Sequence, residues 1–283
     1  MKPFAIPVVA APDFPAADTD LQYAPLPPLE TFAMPIPQPT SAEAGAAAAD
    51  LVGQLLEPMR RHAAADDSWR LDLSGVDAEV LTLVNQALGE GDVSILVAAS
   101  GGEPGLRIQE TAFTGLWRVR SFSADEALVH DELEIAGIPA AVRARAARDS
   151  TDDFAIGELP PGLMNAPALL FELASQLAQR SDDAPPHIIN LTLLPMQPAD
   201  LQVIDAWLGE GPVRMLSRGF GNCRITASRL RNLWRVQYFN SMETRILDTI
   251  EVTDMPSVAL ATPEDIADSA ERLVELIDWL HDE

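Results

Sequence analysis

Lysine is almost missing from this 283-residue chain, and Lys2 is the only one. A phosphate-cradling loop of the Walker kind needs a lysine after its glycines. Neither SGGEPG (residues 100–105) nor GFGNC (residues 219–223) supplies it. Cysteine is equally scarce: the single Cys223 excludes an internal disulfide framework and any zinc site built from several thiolates. The four histidines, His62, His130, His187 and His281, stand in no metal-ligand or triad spacing. No apolar run reaches the roughly 18 to 20 residues that cross a bilayer. Pro3, Pro7, Pro12 and Pro15 interrupt the start, where a signal peptide needs an unbroken apolar helix. The reading is a soluble cytoplasmic protein without a catalytic constellation, metal or cofactor, and so not an enzyme.

Positive charge is short overall, with 19 basic against 43 acidic residues and a formal charge of −24. Such a chain is repelled by phosphate backbones and anionic membrane surfaces, which argues against nucleic-acid partners. It attracts a basic partner segment. With 47% hydrophobic residues, it buries a full core as one large domain or two small ones.

The chain repeats itself. LGEGDVSIL at residues 88–96 returns as LGEGPVRML at 208–216, and residues 107–139 align without a gap on 224–256, with about a third of positions identical. Upstream of each lies an apolar-striped helix, Leu51-Val52-Leu55-Leu56-Met59 and Leu169-Leu170-Leu173-Ala174-Leu177. Each unit reads as helix, short strand (near 69–73 and 189–193), helix, then three or four strands. Gly89 and Gly209 stand at expected helix C-caps. Gly115 and Asn232 predict a tight hairpin turn before Trp117 and Trp234. Alternation puts Trp117 and Val119, or Trp234 and Val236, on one strand face and arginines on the other. The fold class is α+β: a tandem duplication of a two-layer sandwich, with a mainly antiparallel sheet and helices on one face. Residues 1–40, with ten of the 23 prolines, read as an extended arm. Residues 41–140 form the first repeat, 141–163 a linker, and 164–283 the second repeat. Its last helix, capped by Thr262 and opened by Pro263, is expected to cover the second sheet.

Candidate chemistry gathers in one place. Residues 211–237 carry Arg214, Arg218, Arg224, Arg229, Arg231 and Arg235 and no acid, beside Cys223. Elsewhere Asp66-Asp67, Asp152-Asp153 and Asp182-Asp183 read as solvated loop charges. Glu126, Asp131 and Glu134 recur as Glu243, Asp248 and Glu251, which favours a structural role. The first repeat's VAASGGEPGL is replaced in the second by SRGFGNC, where Gly219 and Gly221 allow close backbone approach and Phe220 is an apolar tip. The expected partner surface is Arg214, Arg218, Gly219, Phe220, Gly221, Asn222, Cys223, Arg224, Arg229 and Arg231, a positive patch confined to the second copy. Two alternatives stay open: the arginines pair with the chain's own carboxylates, and Cys223 is either a buried small residue or an exposed thiol.

The stretch SRGFGNCRITASRLRNLWRVQYFNSMETRILDTIEVTDMP (217–256) closely resembles the HupH/HyaF family of hydrogenase expression proteins, with the first copy as its weaker echo. The resemblance implies an accessory role in maturation of an uptake nickel–iron hydrogenase, with no enzymatic reaction. It implies a chaperone that holds the small-subunit precursor until its iron–sulfur clusters are in place, alone or with other maturation proteins. It leaves two alternatives, transient iron–sulfur delivery through Cys223 and a scaffold acting through the proline-rich arm.

Overall fold

The computed structural model describes residues 41–65, 68–181, 184–219 and 222–282; the arm 1–40 and the pairs Asp66-Asp67 and Asp182-Asp183 lie outside the described residues. The first repeat runs α1 (Ala42–Gly53), α2 (Leu56–Ala65), β1 (Trp69–Asp72), α3 (Ala78–Leu88), then β2 (Val93–Val97), β3 (Gly105–Glu110), β4 (Leu116–Phe122) and β5 (Leu128–Ile135). After α4 (Ala140–Arg148), the second runs α5 (Ala166–Gln179), β6 (His187–Asn190), α6 (Pro198–Leu208), β7 (Val213–Ser217), β8 (Asn222–Ala227), β9 (Leu233–Phe239) and β10 (Arg245–Val252). Helix α7 (Pro263–Asp282) follows.

Local chemistry sets the element ends. The Ser41 hydroxyl accepts the Ala44 N–H at 3.1 Å at the start of α1, and the Thr262 hydroxyl accepts the Asp265 N–H at 3.1 Å at the start of α7. Gly89 and Gly209 end α3 and α6 with φ of 60° and 58°. Gly115 and Asn232 take φ of 82° and 58° in the hairpin turns before the tryptophans. The second repeat's short strand, expected near 189–193 from the repeat, lies earlier, at His187–Asn190. The Asn190 side chain accepts the Thr192 N–H at 3.0 Å and starts a 3-10 turn over Leu191–Leu193 instead.

Among the described residues, all ten strands join one antiparallel sheet in the order β1-β5-β4-β3-β2-β7-β8-β9-β10-β6. At its centre β2 pairs with β7, Ile95 opposite Met215, and these two residues occupy the same position of the repeat. A local two-fold axis therefore passes between them, perpendicular to the sheet. The amide of Ala98 donates to Pro212 O at 2.8 Å, and its counterpart Arg218 donates to Asp92 O at 3.1 Å. The two units are thus halves of one sheet. Pairing β2 with β7 removes two edges whose unpaired amides would invite aggregation.

The sheet's two faces are covered differently. On one face, Leu116, Leu133 and Ile135 pack under α1, α2 and α3, and Leu233, Ile250 and Val252 pack under α5 and α6. On the other, Ile95, Ile108, Trp117, Val119, Met215, Ile225, Trp234 and Val236 form a continuous central core. The indole N–H groups of Trp117 and Trp234 donate to Ala136 O (2.9 Å) and Thr253 O (3.1 Å), which satisfies the one polar atom of each buried ring.

Two expectations need correcting. The segment read as a linker contains α4, rich in the helix formers alanine and arginine. Val142 of α4 is fully buried in the central core, and Arg145 donates to Pro104 O at 3.0 Å. Helix α7 does not cover the second half. Its stripe of Ile266, Ala270, Leu273, Leu276, Ile277 and Leu280 completes the first half's core beside α1 and α2. The seat exists because Gly115 has no side chain: a Cβ there would lie 2.4 Å from Ile266 Cγ1. The second half is closed instead by the segment that trails the first repeat. Thr151 N–H donates to Arg229 O at 2.9 Å, Arg231 N–H donates to Thr151 O at 3.0 Å, and Phe154 meets Trp207 edge-on at 6.1 Å. Each repeat's trailing segment therefore caps the opposite half.

Candidate functional site: an arginine-bearing sheet face

Among the described residues, no helix covers the middle of the sheet between the helices of the two halves, and Leu96 there is 56% exposed. Strand alternation decides which side chains line it. The register runs Arg120 opposite Arg107, Arg107 opposite Leu96, Leu96 opposite Arg214, and Arg214 opposite Thr226. One strand position further on, Leu216 lies opposite Arg224 and Arg224 opposite Gln237. Of the expected surface residues, Arg214 and Arg224 are brought together on this face, both more than half exposed. Arg218 and Gly219 leave the end of β7 beside Asp92, where a Cβ on Gly219 would sit 3.0 Å from Asp92 Oδ2. Asn222 approaches Glu243, Nδ2 to Oε1 at 3.5 Å. Phe220 and Gly221 lie outside the described residues.

The remaining expected residues point elsewhere. Arg229 turns onto the end of α6, Nε to Trp207 O at 3.1 Å, and Arg231 pairs with Asp152 at 2.9 Å. These two hold the second half together. Cys223 alternates to the opposite face and is 2% exposed in the central core. Burial pushes its thiol up to about 11, although a hydrogen bond with Tyr238 opposes the shift. Burial raises the Tyr238 hydroxyl to about 12 as well. The thiol is therefore neither on the arginine surface nor ionised near neutrality.

Most of the arginines have carboxylate partners within the chain. Arg214 pairs with Glu210, Arg224 with Glu243 at 3.3 Å, and Arg235 with Asp248 and Asp205, the latter at 3.0 Å. Among the described residues no carboxylate lies within ion-pair distance of Arg218. The recurrent acids have distinct places. Glu126 and Glu243 occupy turn positions with φ of 61° and 59°, and Asp131 grips Arg118 as Asp248 grips Arg235. Glu134 and Glu251 are buried, with raised pKa values caused chiefly by that burial.

The positive patch is not confined to the second half, contrary to the sequence reading. Arg107 pairs with Glu126 and stacks over Phe122 at 4.3 Å, while Arg224 pairs with Glu243 and stacks over Phe239 at 4.4 Å. The two clusters are related by the local two-fold axis. Arg107 and Phe122 align with Arg224 and Phe239 in the repeat, so the signal was present in the sequence. A concentration of arginines in one copy masked it. A cavity of about 370 Å³ at the seam is lined by Leu96, Arg107, Phe122, Glu126, Pro212 and Arg214, among others. Two smaller clefts, of about 170 and 290 Å³, open at the C-terminal ends of α3 and α6. Among the described residues, no group of three or more His, Cys, Asp or Glu side chains is arranged to hold a metal. Among the same residues, no helix is long and apolar enough to cross a membrane.

Fold and site together define an α+β protein with an internally two-fold sheet that presents paired arginine clusters on its open face. The C-terminal conserved region of the HupH hydrogenase expression protein matches this chain twice, over residues 46–155 and 163–280. The chain belongs to the HupH hydrogenase expression protein family. It is 39% identical to the hydrogenase expression/formation protein HoxQ of Cupriavidus necator, over 99% of both chains, and 39% identical to HupH of Rhodobacter capsulatus, over 93% of both. A solved hydrogenase expression protein HupH from Thiobacillus denitrificans is 27% identical, with a TM-score of 0.37. That alignment covers 39% of this chain and 92% of the solved one.

Proposed function

We propose that this protein is a cytoplasmic, non-enzymatic chaperone of hydrogenase maturation, which holds the precursor of the iron–sulfur small subunit until its clusters are in place. The observation that carries the reading is the open arginine face in a chain of this family. Exposed guanidinium groups grip carboxylates and backbone carbonyls of a folding partner. The acidic remainder of the chain steers a basic export-signal region toward it. Delivery of a cluster by Cys223 fits poorly, because the thiol is 2% exposed in the central core, out of reach of a partner.

Co-purification with the small-subunit precursor, with and without its export signal and followed by iron and sulfide analysis, tests the reading. A complex that forms without metal on this protein, and loosens when the signal is removed, is expected. Alanine at Arg218 and Arg224 weakens that complex without unfolding the protein. Iron bound to this protein and lost in Cys223→Ser replaces the chaperone with a cofactor carrier. Failure to bind either precursor form leaves a scaffold acting through residues 1–40.

A further inference from the structure

We infer that the seam cavity is a docking site for an acidic, extended polypeptide segment, with Arg107 and Arg214 as its two anchors. This names the chemistry of the partner segment and rests on the partner-holding reading above. Arg107 and Arg214 are the cross-strand neighbours of Leu96 on either side, so their Cα atoms stand about 10 Å apart, two strand spacings. Leu96, 56% exposed, forms an apolar floor between them, and Phe122 and Pro212 line the walls. The volume of about 370 Å³ admits a few side chains. An apolar floor between two guanidinium groups fits a strand-like segment that presents a carboxylate beside an apolar side chain.

A further observation points to a carboxylate. Arg107 stands directly opposite Arg120 on the next strand, and like charges in that relation destabilise a sheet. Arg120 itself lines the neighbouring cleft at the end of α3 and acts on the seam only through its charge beside Arg107. Three arginines thus occupy four successive cross-strand positions, and an added anion relieves their repulsion. The glutamates on the anchors do not block the site. Glu126 and Glu210 are exposed, at 69% and 67%, and exposed ion pairs hold their partners only weakly. A guanidinium has five donors, so it also takes an incoming carboxylate beside its resident one. A polyphosphate partner is disfavoured because the −24 chain repels dense negative charge. A segment with spaced carboxylates meets less of that repulsion at physiological salt, where the field decays within about 8 Å.

The test uses the whole protein and a fluorescein-labelled ten-residue peptide of repeating Glu-Ser-Leu-Ser, the Leu-Glu peptide, which sets Leu and Glu on one face of an extended chain, with Leu-Gln and Leu-Lys counterparts, read by fluorescence anisotropy at physiological salt. The Leu-Glu peptide binds and its counterparts do not. Arg107→Ala and Arg214→Ala each weaken binding about tenfold, the loss of one charge-assisted contact. Arg60→Ala, on the exposed side of α2, leaves binding unchanged. Thermal melts of the variants confirm that the fold persists. Absence of Leu-Glu binding, or binding indifferent to Arg107 and Arg214 in folded variants, overturns the inference. Precursor capture separates it from the broader reading. If Arg107→Ala/Arg214→Ala holds the precursor as well as the unsubstituted protein does, the cavity is wrong and the chaperone stands. If the unsubstituted protein captures no precursor, the chaperone fails, and the peptide measurements alone judge the cavity.

Discussion

Glu110 contributes a pH response of its own. It lies 6% exposed near the foot of α7, its carboxylate accepts the Gly115 N–H at 3.3 Å, and Asp92 and Asp265 add negative charge nearby. Burial, and then those acids, raise its pKa from 4.5 to about 7. The folded state therefore keeps a proton that the unfolded chain gives up, so the stability that Glu110 contributes falls as pH rises from about 4.5 to about 7 and changes no further above. Glu110→Gln keeps the acceptor for Gly115 and removes the ionisation, and the second repeat already has Ala227 at this position. Thermal melts should show the variant more stable at pH 8, on the order of 3 kcal/mol, with the gain vanishing near pH 4. Cys223 makes a second residue-scale prediction. With its pKa near 11 and 2% exposure, it resists thiol reagents at pH 8 in the native protein and reacts fully in denaturant. Rapid native labelling would contradict the buried placement.

Among the elements, α7 and the hairpin turn under it are coupled. Leu273 of α7 is fully buried in the first half's core, so Leu273→Ala is expected to cost about 2–5 kcal/mol. Hydrogen exchange should show the loss of protection first in α1, α2 and β5. Unchanged protection in α1, α2 and β5 would contradict the packing. Gly115→Ala should also destabilise, because its Cβ would overlap Ile266 and its φ of 82° strains any side chain. At this scale the sequence was largely legible. Thr262 and Pro263 marked the start of α7, Gly115 and Asn232 marked the turns, and the Trp-Arg-Val alternation assigned strand faces. What it could not show is where an amphipathic helix goes. The stripe of Ile266, Leu273 and Ile277 states that one face is buried, but not against which half. That choice depends on Gly115, about 150 residues earlier in the chain.

At the scale of the molecule, pairing of β2 with β7 and the exchanged trailing segments make each half depend on the other. A chain cut between residues 158 and 159 should therefore co-purify as one particle and melt in a single transition. Fragments that separate would contradict the shared core. The site was only partly legible for the same long-range reason. The cluster at residues 211–237 was visible, but the seam that adds Arg107 and Arg120 forms by strand pairing between repeats, which no local pattern encodes. The two-fold axis has a further consequence. In a symmetric dimer of separate chains, one codon change alters both sides of the axis at once. Here both sides belong to one reading frame, so each can change alone, and some already differ: the position of Arg120 is Gln237 in the second repeat, and that of Asp92 is Pro212. A surface that began as equivalent sides can acquire direction, and a directional surface can tell one end of an extended segment from the other.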